Sequence, residues 1–318
     1  MKKSFLGLPK LALPIVLFVG CWLLPTTAKS LCAQTDEHVA RGGTASGDVL
    51  LDSAITHLQG HLTVSADVGL HAQILGQRLE GSGRYFQKGR GPERQIRFEM
   101  SIPTGDAETV MINVSNGRQW WRYVDDPRSE PKLTVIDLTA VRAAVADARG
   151  RGLATINDDL ARGGVPQLLT RLQQNFQFGA ATTSGQGEAS AWITRGVWRY
   201  QELQRIVGAA ANEKTTKISP QLNKRLPREV VLHLHKETLF PQRIEYLGAD
   251  QSDETSDIRS SKQSRHPLTL IELTRININA PLDDHHFQRP LDMEEHDVTA
   301  RYLRELGIGK PRTEPASE

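Results

Sequence analysis

The clearest regularity in the chain is a strict alternation of apolar and mainly polar residues between positions 62 and 74. Successive side chains of a β-strand point to opposite faces, so this period predicts one long strand with one buried face. Its apolar positions are Leu62, Val64, Ala66, Val68, Leu70, Ala72 and Ile74. Shorter segments with strand character follow and predict a meander, with further strands at 79–87, 95–102, 110–114, 120–124 and 133–137.

The Asn116-Gly117 pair separates two of these predicted strands. Both residue types tolerate positive φ, so the pair predicts a hairpin with a type I′ turn. Three aromatic residues follow the turn, although the whole chain has only 5 Trp, 5 Tyr and 8 Phe. Period two places Trp121 and Tyr123 on one face of the strand and Trp120 on the other.

The middle of the chain changes to a helical period. Segments 138–149 and 157–175 predict two helices, and Gly163-Gly164 predicts a break in the second. Two shorter helices are predicted near the ends of the domain, at 48–58 with Asp48 as its cap and at 299–306.

Strands resume after the second long helix and are predicted at 192–200, 201–207, 229–236, 243–247 and 268–278. The total is about ten or eleven strands in mostly hairpin order. We expect a mainly β (α+β) fold, a large curved antiparallel sheet or half-barrel covered by a few helices. Because few apolar helices are available to cover the sheet, an open half-barrel with a helical lid and a closed barrel both fit.

The first 33 residues differ from the rest of the chain. Lysines precede a mostly apolar run, residues 11–24, and small residues follow, which is the layout of a secretory signal peptide. The run contains Pro14 and is shorter than the about 20 apolar residues that span a membrane. We therefore expect an exported protein of the periplasm or cell envelope, without an integrated membrane span, and cleavage after Ala28 and after Ala33 both fit.

Both cysteines, Cys21 and Cys32, lie in this leader. Phe18 fits a lipoprotein cleavage box poorly, so we expect no lipidation at Cys21, and cleavage after Ala33 leaves no cysteine for a disulfide. Four of the 39 Lys and Arg lie in the leader and none of the 37 Asp and Glu, so the remaining chain is slightly acidic. The expected layout is a signal peptide at 1–33, a linker at 34–47, one domain at 48–306 with a helical insert at 138–175, and a disordered tail at 307–318.

Candidate catalytic and metal-ligating residues are sparse. Histidines occur in three pairs, but each pair is better explained by a helix end, the polar face of a strand or a surface turn: His57 and His61, His233 and His235, His285 and His286. The chain has no nucleophile elbow, P-loop or dinucleotide fingerprint. We therefore expect no enzyme, no catalytic residue, no metal and no cofactor, and the charge balance gives no reason to expect a nucleic-acid partner.

Several segments together resemble a known family. They are LGQRLEGSGRYFQ at 75–87, NVSNGRQWWRYVDDP at 113–127, LPREVVLHL at 226–234, LFPQRIEYL at 239–247 and LIELTRININAPLDDHHFQRP at 270–290. This set resembles the bacterial outer-membrane lipoprotein-sorting (LolA/LolB-like) family of periplasmic carriers and outer-membrane acceptors. Its hairpin reads roughly D-G-x-x-x-W-x-Y-x-P, and Asn116-Gly117, Trp121, Tyr123 and Pro127 match it, with one extra residue before Pro127.

The resemblance implies an open half-barrel with helices over its mouth and an apolar cavity for acyl chains. The expected cavity lining is Val64, Val68, Leu70, Ile96, Phe98, Met100, Trp121 and Tyr123, with the last two on the concave, helix-covered side. The family's carriers have an Arg-Pro pair followed by an aromatic strand, and an arginine there ties down the lid. This chain has Gly91-Pro92-Glu93-Arg94 and then Arg97-Phe98, so Arg94 and Arg97 are both candidates for that role.

Three functional hypotheses follow from these observations. The first is a non-catalytic protein that binds lipid or lipoprotein acyl chains. The second is an envelope protein-interaction or stress-sensing module on the same scaffold, whose loops 208–226 and 249–266 contact a protein partner. The third is an exported hydrolase, which the lack of a catalytic motif disfavours.

Overall fold

The computed structural model of the chain describes eight ranges of residues, which are 19–21, 45–74, 77–147, 152–154, 156–185, 190–204, 226–248 and 267–308. Helices in these ranges include α1 (Gly47–Gly60), α2 (Leu138–Asp147), α3 (Ile156–Asn175) and α4 (Thr299–Glu305). The strands are β1 (Val19–Cys21), β2 (Thr63–Ile74), β3 (Gln77–Lys88), β4 (Gln95–Thr104), β5 (Ala107–Ser115), β6 (Gln119–Asp125), β7 (Lys132–Asp137), β8 (Gly152–Ala154), β9 (Phe176–Phe178), β10 (Thr182–Ser184), β11 (Ala191–Trp198), β12 (Glu229–His235), β13 (Pro241–Leu247), β14 (Pro267–Ile278) and β15 (Glu295–Asp297).

Thirteen of these strands form one open sheet in the order β10-β11-β12-β13-β14-β2-β3-β4-β5-β6-β7-β15, with β9 also paired to β11. Neighbouring strands are antiparallel except β15, which runs parallel to β7. The predicted fold class, a large mainly antiparallel sheet with few helices, is therefore confirmed. The remaining two strands, β1 and β8, form a separate pair; β1 lies in the segment expected to be a signal peptide, which stays a prediction.

One face of the sheet carries the alternating apolar residues of β2 and packs against α1 and α3. We call it the inner face and the opposite one the outer face. Val64 and Val68 of β2 lie on the inner face, as do Ile96 and Phe98 of β4, and all four join the main apolar core. The helices add Leu51 and Leu58 from α1 and Leu168, Leu169 and Leu172 from α3 to that core.

The inner face at β6 and β7 has its own helical cover. Trp120 and Ile136 are fully buried there and pack with Leu138 and Val141 of α2. Tyr302 of α4 meets the Trp120 ring edge-on, with ring centroids 5.6 Å apart. The far C-terminal helix therefore completes the core at this end of the sheet.

The outer face of β3 to β7 is covered by the segment that leads to α4. The Lys88 ammonium lies 2.5 Å from the Asp284 carboxylate, and the His286 ring stacks on Phe86 at 4.4 Å. The chain then reaches the edge of the sheet, where β15 pairs with β7, and continues into α4 on the inner face. We call residues 283–306 the C-terminal clasp because they contact both faces of the sheet.

Three local predictions are wrong. Residues 200–204 are helical rather than part of a strand at 201–207. Asp48 is not the cap of α1; Ser46 occupies that position, and the Asp48 carboxylate accepts a hydrogen bond from Phe178 N instead. The Asn116 hairpin is not a type I′ turn, because only Gly117 has positive φ and the loop is longer, with Ser115 paired to Trp120.

Several other predicted segments lie wholly or partly outside the residues that the structure describes. The tail beyond residue 308 and most of the leader and linker lie outside the described residues, as does all of the loop 249–266. Within the part of the chain that the structure describes, no helix has both the length and the apolar character required to cross a membrane.

Candidate ligand-binding face and its lid

Six of the eight predicted lining residues lie together on the inner face. Val64, Val68, Ile96, Phe98 and Met100 are buried in the main core, and Leu70 packs against it half-buried. They come from strands β2 and β4, which both pair with β3 between them. These residues form a continuous apolar surface that α1 and α3 cover. That a ligand contacts this surface stays a prediction.

The prediction that Trp121 and Tyr123 lie on the concave, helix-covered side is wrong, because both lie on the outer face. Trp121 pairs with Val114, and Val114 pairs with Arg97. Arg97 lies between the inner-face residues Ile96 and Phe98, so this row of side chains is on the outer face. Trp121 is buried there by the C-terminal clasp and donates from Nε1 to the Glu295 carboxylate at 3.0 Å.

The cause is a change in which face is apolar. On β4 the apolar residues point inward, but on β5 it is Thr109, Met111, Asn113 and Ser115 that continue the inner face. The apolar residues Ile112 and Val114 point outward and pack with Trp121 and Leu133 beneath the clasp. Trp120 is therefore the inner tryptophan, and its Nε1 donates to the Asn113 amide oxygen at 3.2 Å.

Helix α3 lies over the inner face and is interrupted at the predicted break. Gly164 has φ 71° and ψ −161°, a conformation that only glycine adopts readily. A Cβ at this position would lie 2.3 Å from Tyr85 Oη and 2.5 Å from Gln87 Oε1. The glycine therefore permits both the kink and the close approach of the helix to strand β3.

Three side chains hold this kink to the sheet, and we call them the latch. Arg94 Nη1 donates to Gly163 O at 2.8 Å. Tyr85 Oη accepts from Val165 N at 3.1 Å and donates to Gln87 Oε1 at 2.7 Å. The resemblance left Arg94 and Arg97 as candidates for tying down a lid; Arg94 contacts the helix, whereas Arg97 pairs with Glu99 on the outer face.

The latch is buried polar chemistry inside an apolar core. Arg94 is 6% exposed, Gln87 1% and Tyr85 0%. Burial lowers the pKa of Arg94 and raises the pKa of Tyr85 well above its ordinary value, so the phenol stays protonated. If α3 moved away from the sheet, water would reach each of these polar groups and compete for their hydrogen bonds.

Tyr85 and Gln87 were not predicted as site residues, but the sequence contains a signal for them. Counting in steps of two from Gly83 places Tyr85 and Gln87 on the inner face. Arg94 comes after them in sequence, in the loop that follows β3. Polar residues in an otherwise apolar row are expected to have a partner.

A second polar contact joins the two parts of α3. Asp159, before the kink, forms an ion pair with Arg171 after it, and both side chains are almost fully buried. The pair lies near Tyr246 of β13, whose pKa is raised by burial and by Asp159. Because the pair connects residues on either side of Gly164, it stabilises the kinked shape of the helix.

The outer face of β11 to β14 is polar instead. A cleft of ≈ 820 Å³ there is lined by residues that include His233, His235 and Arg243. Arg243 lies 2.7 Å from Glu245 and 2.9 Å from Glu272. Opposite charges in the cleft thus already pair across strands, which is typical of a solvated surface.

The histidine pairs show no metal-binding geometry. No group of three or more His, Cys, Asp and Glu side chains that could hold a metal ion occurs in the described ranges. His233 lies 3.4 Å from Glu245, and burial lowers the pKa of His233.

Comparisons with known proteins give fold-level likenesses of low identity. The chain matches no protein-family model and no curated protein. Among solved structures, a DUF1329 family protein from Desulfovibrio piger is 12% identical with a TM-score of 0.32, over 76% of this chain and 96% of that one. An outer membrane lipoprotein-sorting protein domain from Vibrio parahaemolyticus is 8% identical with a TM-score of 0.31, over 76% and 95%.

A third similar structure is the complex of MucA and MucB from Pseudomonas aeruginosa. It is 11% identical with a TM-score of 0.39, over 76% of this chain and 60% of that one. The lipoprotein-sorting neighbour carries the same description as the family that the sequence resembles. At these TM-scores the likenesses establish neither family membership nor a function for this chain.

Proposed function

We propose that this protein is a non-catalytic acyl-chain binder of the bacterial cell envelope, which holds lipid or lipoprotein acyl chains between the inner face and helix α3. The observation that carries the proposal is the latch. A kinked helix covers an apolar sheet face and is tied to it, at the kink, by Arg94 and Tyr85. Export rests on the predicted signal peptide at 1–33.

The energetics suit reversible binding. The latch consists of a few hydrogen bonds, each contributing about 0.5–1.5 kcal/mol net, or about 1.5–3 kcal/mol where a charged group takes part. Lifting α3 exposes its leucines and the inner-face residues beneath them. An acyl chain that covers the same surface regains about 25 cal/mol per Å² of apolar area. Ligand burial would therefore offset the loss of the helix from the sheet.

The test is native mass spectrometry of the exported protein, together with lipid extraction and uptake of a fluorescent fatty-acid probe. We expect co-purified lipid or probe binding that saturates at one site. Gly164→Ala, which disturbs the kink, should change probe affinity, whereas Gly60→Ala at the end of α1 should not. Protein that carries no lipid and takes up no probe would exclude the proposal.

The polar outer cleft supports one alternative, an envelope protein-interaction or stress-sensing module. Polar and charged side chains from three strands, including His233, Arg243 and Glu272, line this cleft and would bind a protein surface of complementary charge. Capture of an envelope protein by the wild type, but not by an Arg243→Glu variant, would favour this alternative. Capture that is unchanged by the variant would count against it.

A further inference from the structure

The latch contains two buried donors with no acceptor among the described residues. They are Arg94 Nε and Gln87 Nε2. Both side chains belong to residues that are more than nine-tenths buried. Both residues also contact the same turn of α3, since Arg94 bonds to Gly163 O and Gln87 Oε1 lies against Gly164. The two unpaired donors therefore belong to side chains that contact the same turn of α3, the helix that forms the lid over the inner face.

Leaving such groups without acceptors is costly. An unsatisfied buried donor costs about 1–3 kcal/mol, and more when it is charged. Two other arginines with little exposure have carboxylate partners: Arg171 pairs with Asp159 and Arg97 pairs with Glu99. The only hydrogen bond that the structure records from the Arg94 side chain, within the described ranges, goes to a neutral backbone carbonyl. Its positive charge has no carboxylate partner there.

We infer that Arg94 and Gln87 form a subsite for the anionic headgroup of an acyl ligand whose chain lies along the inner face. This inference rests on the proposed function and adds the chemical class of the ligand. A guanidinium binds carboxylate and phosphate oxygens through paired N–H donors. The headgroup is therefore a carboxylate or a phosphate, as in a free fatty acid or a monoacyl phospholipid.

The strand register supplies the path for the chain. Gln87 pairs with Ile96, and Tyr85, two residues earlier, pairs with Phe98. The next inner-face pair is Gly83 with Met100. A headgroup at Gln87 therefore lies at the start of an apolar row formed by Ile96, Phe98 and Met100, along which the acyl chain would lie.

The same subsite couples binding to the lid. Arg94 now donates to Gly163 O on α3, and an anionic headgroup is a stronger acceptor than a carbonyl. A ligand that takes over this donor removes one of the bonds that hold the kink to the sheet. Ligand entry and release of α3 then favour each other.

The experiment is displacement of the neutral dye Nile red from the full exported chain by three ligands with the same acyl length. They are myristate, myristoyl lysophosphatidate and the uncharged myristyl alcohol. A charge-assisted contact is worth about 1.5–3 kcal/mol, so we expect an anionic ligand to bind about ten- to hundredfold more tightly than the alcohol. Which of the two anions is favoured decides between carboxylate and phosphate.

Two variants remove the subsite and one is a control. Arg94→Met removes the charge, and Gln87→Glu keeps the size of the side chain while adding an anion beside Arg94. In both variants the affinity for each anionic ligand, divided by the affinity for the alcohol, should fall to about one. The ratio is the readout because both residues belong to the latch, so their replacement shifts the affinity for all three ligands. Arg97→Met, on the outer face, should retain the preference. Gln87→Glu remains informative if Arg94→Met does not fold.

The outcomes separate the two proposals. Equal binding of myristate, lysophosphatidate and alcohol by the wild type would overturn the subsite but leave acyl binding intact. A preference that persists in both Arg94→Met and Gln87→Glu would overturn it as well. Failure of all three ligands to displace the dye, with no lipid in native mass spectra, would instead overturn the proposed function.

Discussion

Strands β2–β4 and β11–β14 carry apolar side chains on the inner face, under α1 and α3, whereas strands β5–β7 carry them on both faces. We call the first region the latched half and the second the clasped half. In the latched half, Arg94 and Tyr85 tie the cover at its kink, and the buried groups Arg94 and Gln87 are incompletely satisfied. In the clasped half, the C-terminal clasp covers Trp121 outside and Trp120 inside.

Under the proposed function, this difference separates an apolar surface that α3 uncovers from one that the clasp keeps covered. One continuous segment contacts both faces of the clasped half, and two adjacent tryptophans are its anchors. Removing the clasp would expose both faces at once, so this half is expected to unfold as a unit. The latched half can lose only its lid, because the sheet beneath stays paired on both sides.

The largest effect is expected for Trp120→Ala in the clasped half. Trp120 is fully buried, and large-to-small changes of aromatic core residues cost about 3–5 kcal/mol. The measurement is urea unfolding followed by circular dichroism. Fatty-acid probe affinity, measured where the variant is still folded, should be unchanged. A loss of less than about 1 kcal/mol would mean that the clasp does not anchor this half.

Asp159→Ala should destabilise the latched half by a similar or slightly smaller amount. It leaves Arg171 charged and buried, and breaking a buried ion pair in this way costs about 3–5 kcal/mol. The double variant Asp159→Leu with Arg171→Met should recover most of that stability, since it removes both charges. A double variant as unstable as the single one would show that the charges themselves are not the cause.

A smaller effect, confined to the lid, is expected for Gly164→Ala. Positive φ costs a non-glycine residue about 1–2 kcal/mol, and the new Cβ would clash with Tyr85 and Gln87. Hydrogen exchange should speed up in residues 163–175 but not in β5–β7. Gly60→Ala is the matched control, because a Cβ there meets nothing within 4 Å. Uniformly faster exchange across the sheet would contradict a separable lid.

The smallest effect concerns pH and the clasp. Burial, His285 and Arg97 lower the pKa of His286 below 6.5, while Asp283 and Glu99 oppose this shift. The unfolded chain then binds the proton more readily, so the free energy of unfolding should fall as pH drops below 6.5. His286→Gln should reduce this slope in urea midpoints measured from pH 7 downward, leaving contributions from His61 and His233. An unchanged slope would show that protonation of His286 does not cause the loss of stability at low pH.

Much of the latched half could be predicted from the sequence. The alternation at 62–74 and the apolar row at 96–102 predicted both strands and identified their buried face correctly. Each of these strands has one apolar and one polar face, so the alternation distinguishes the two faces. Gly163-Gly164 gave the break in α3. The sequence also indicates which of the two candidate arginines contacts the lid. Arg97 lies between Ile96 and Phe98, so period two places it on the outer face, and Arg94 is then the candidate for the lid contact.

The clasped half could not be predicted in the same way. Its strands are apolar on both faces, so alternation does not tell inside from outside, and the family pattern favoured Trp121. Extending the strand register across the β4–β5 turn would have identified the inner face of β5. Thr104 pairs with Ala107 and Ile102 with Thr109, so Thr109 shares the inner face with Ile102. The clasp itself joins residues far apart in sequence, Glu295 with Trp121 and Tyr302 with Trp120, and local patterns carry no signal for such contacts.

The central claim, that acyl chains enter the latched half and not the clasped half, can be tested by fluorescence quenching with brominated stearate. Trp192 and Trp198 pack against the main core under the lid, whereas Trp120 and Trp121 belong to the clasped half. Two variants of the protein without the predicted leader, and so without Trp22, each retain only one of these pairs with the other changed to Phe, so that the halves can be measured separately. We predict saturable quenching of Trp192 and Trp198 and none of Trp120 and Trp121. Quenching of the clasped pair alone, or of neither pair, would contradict the account.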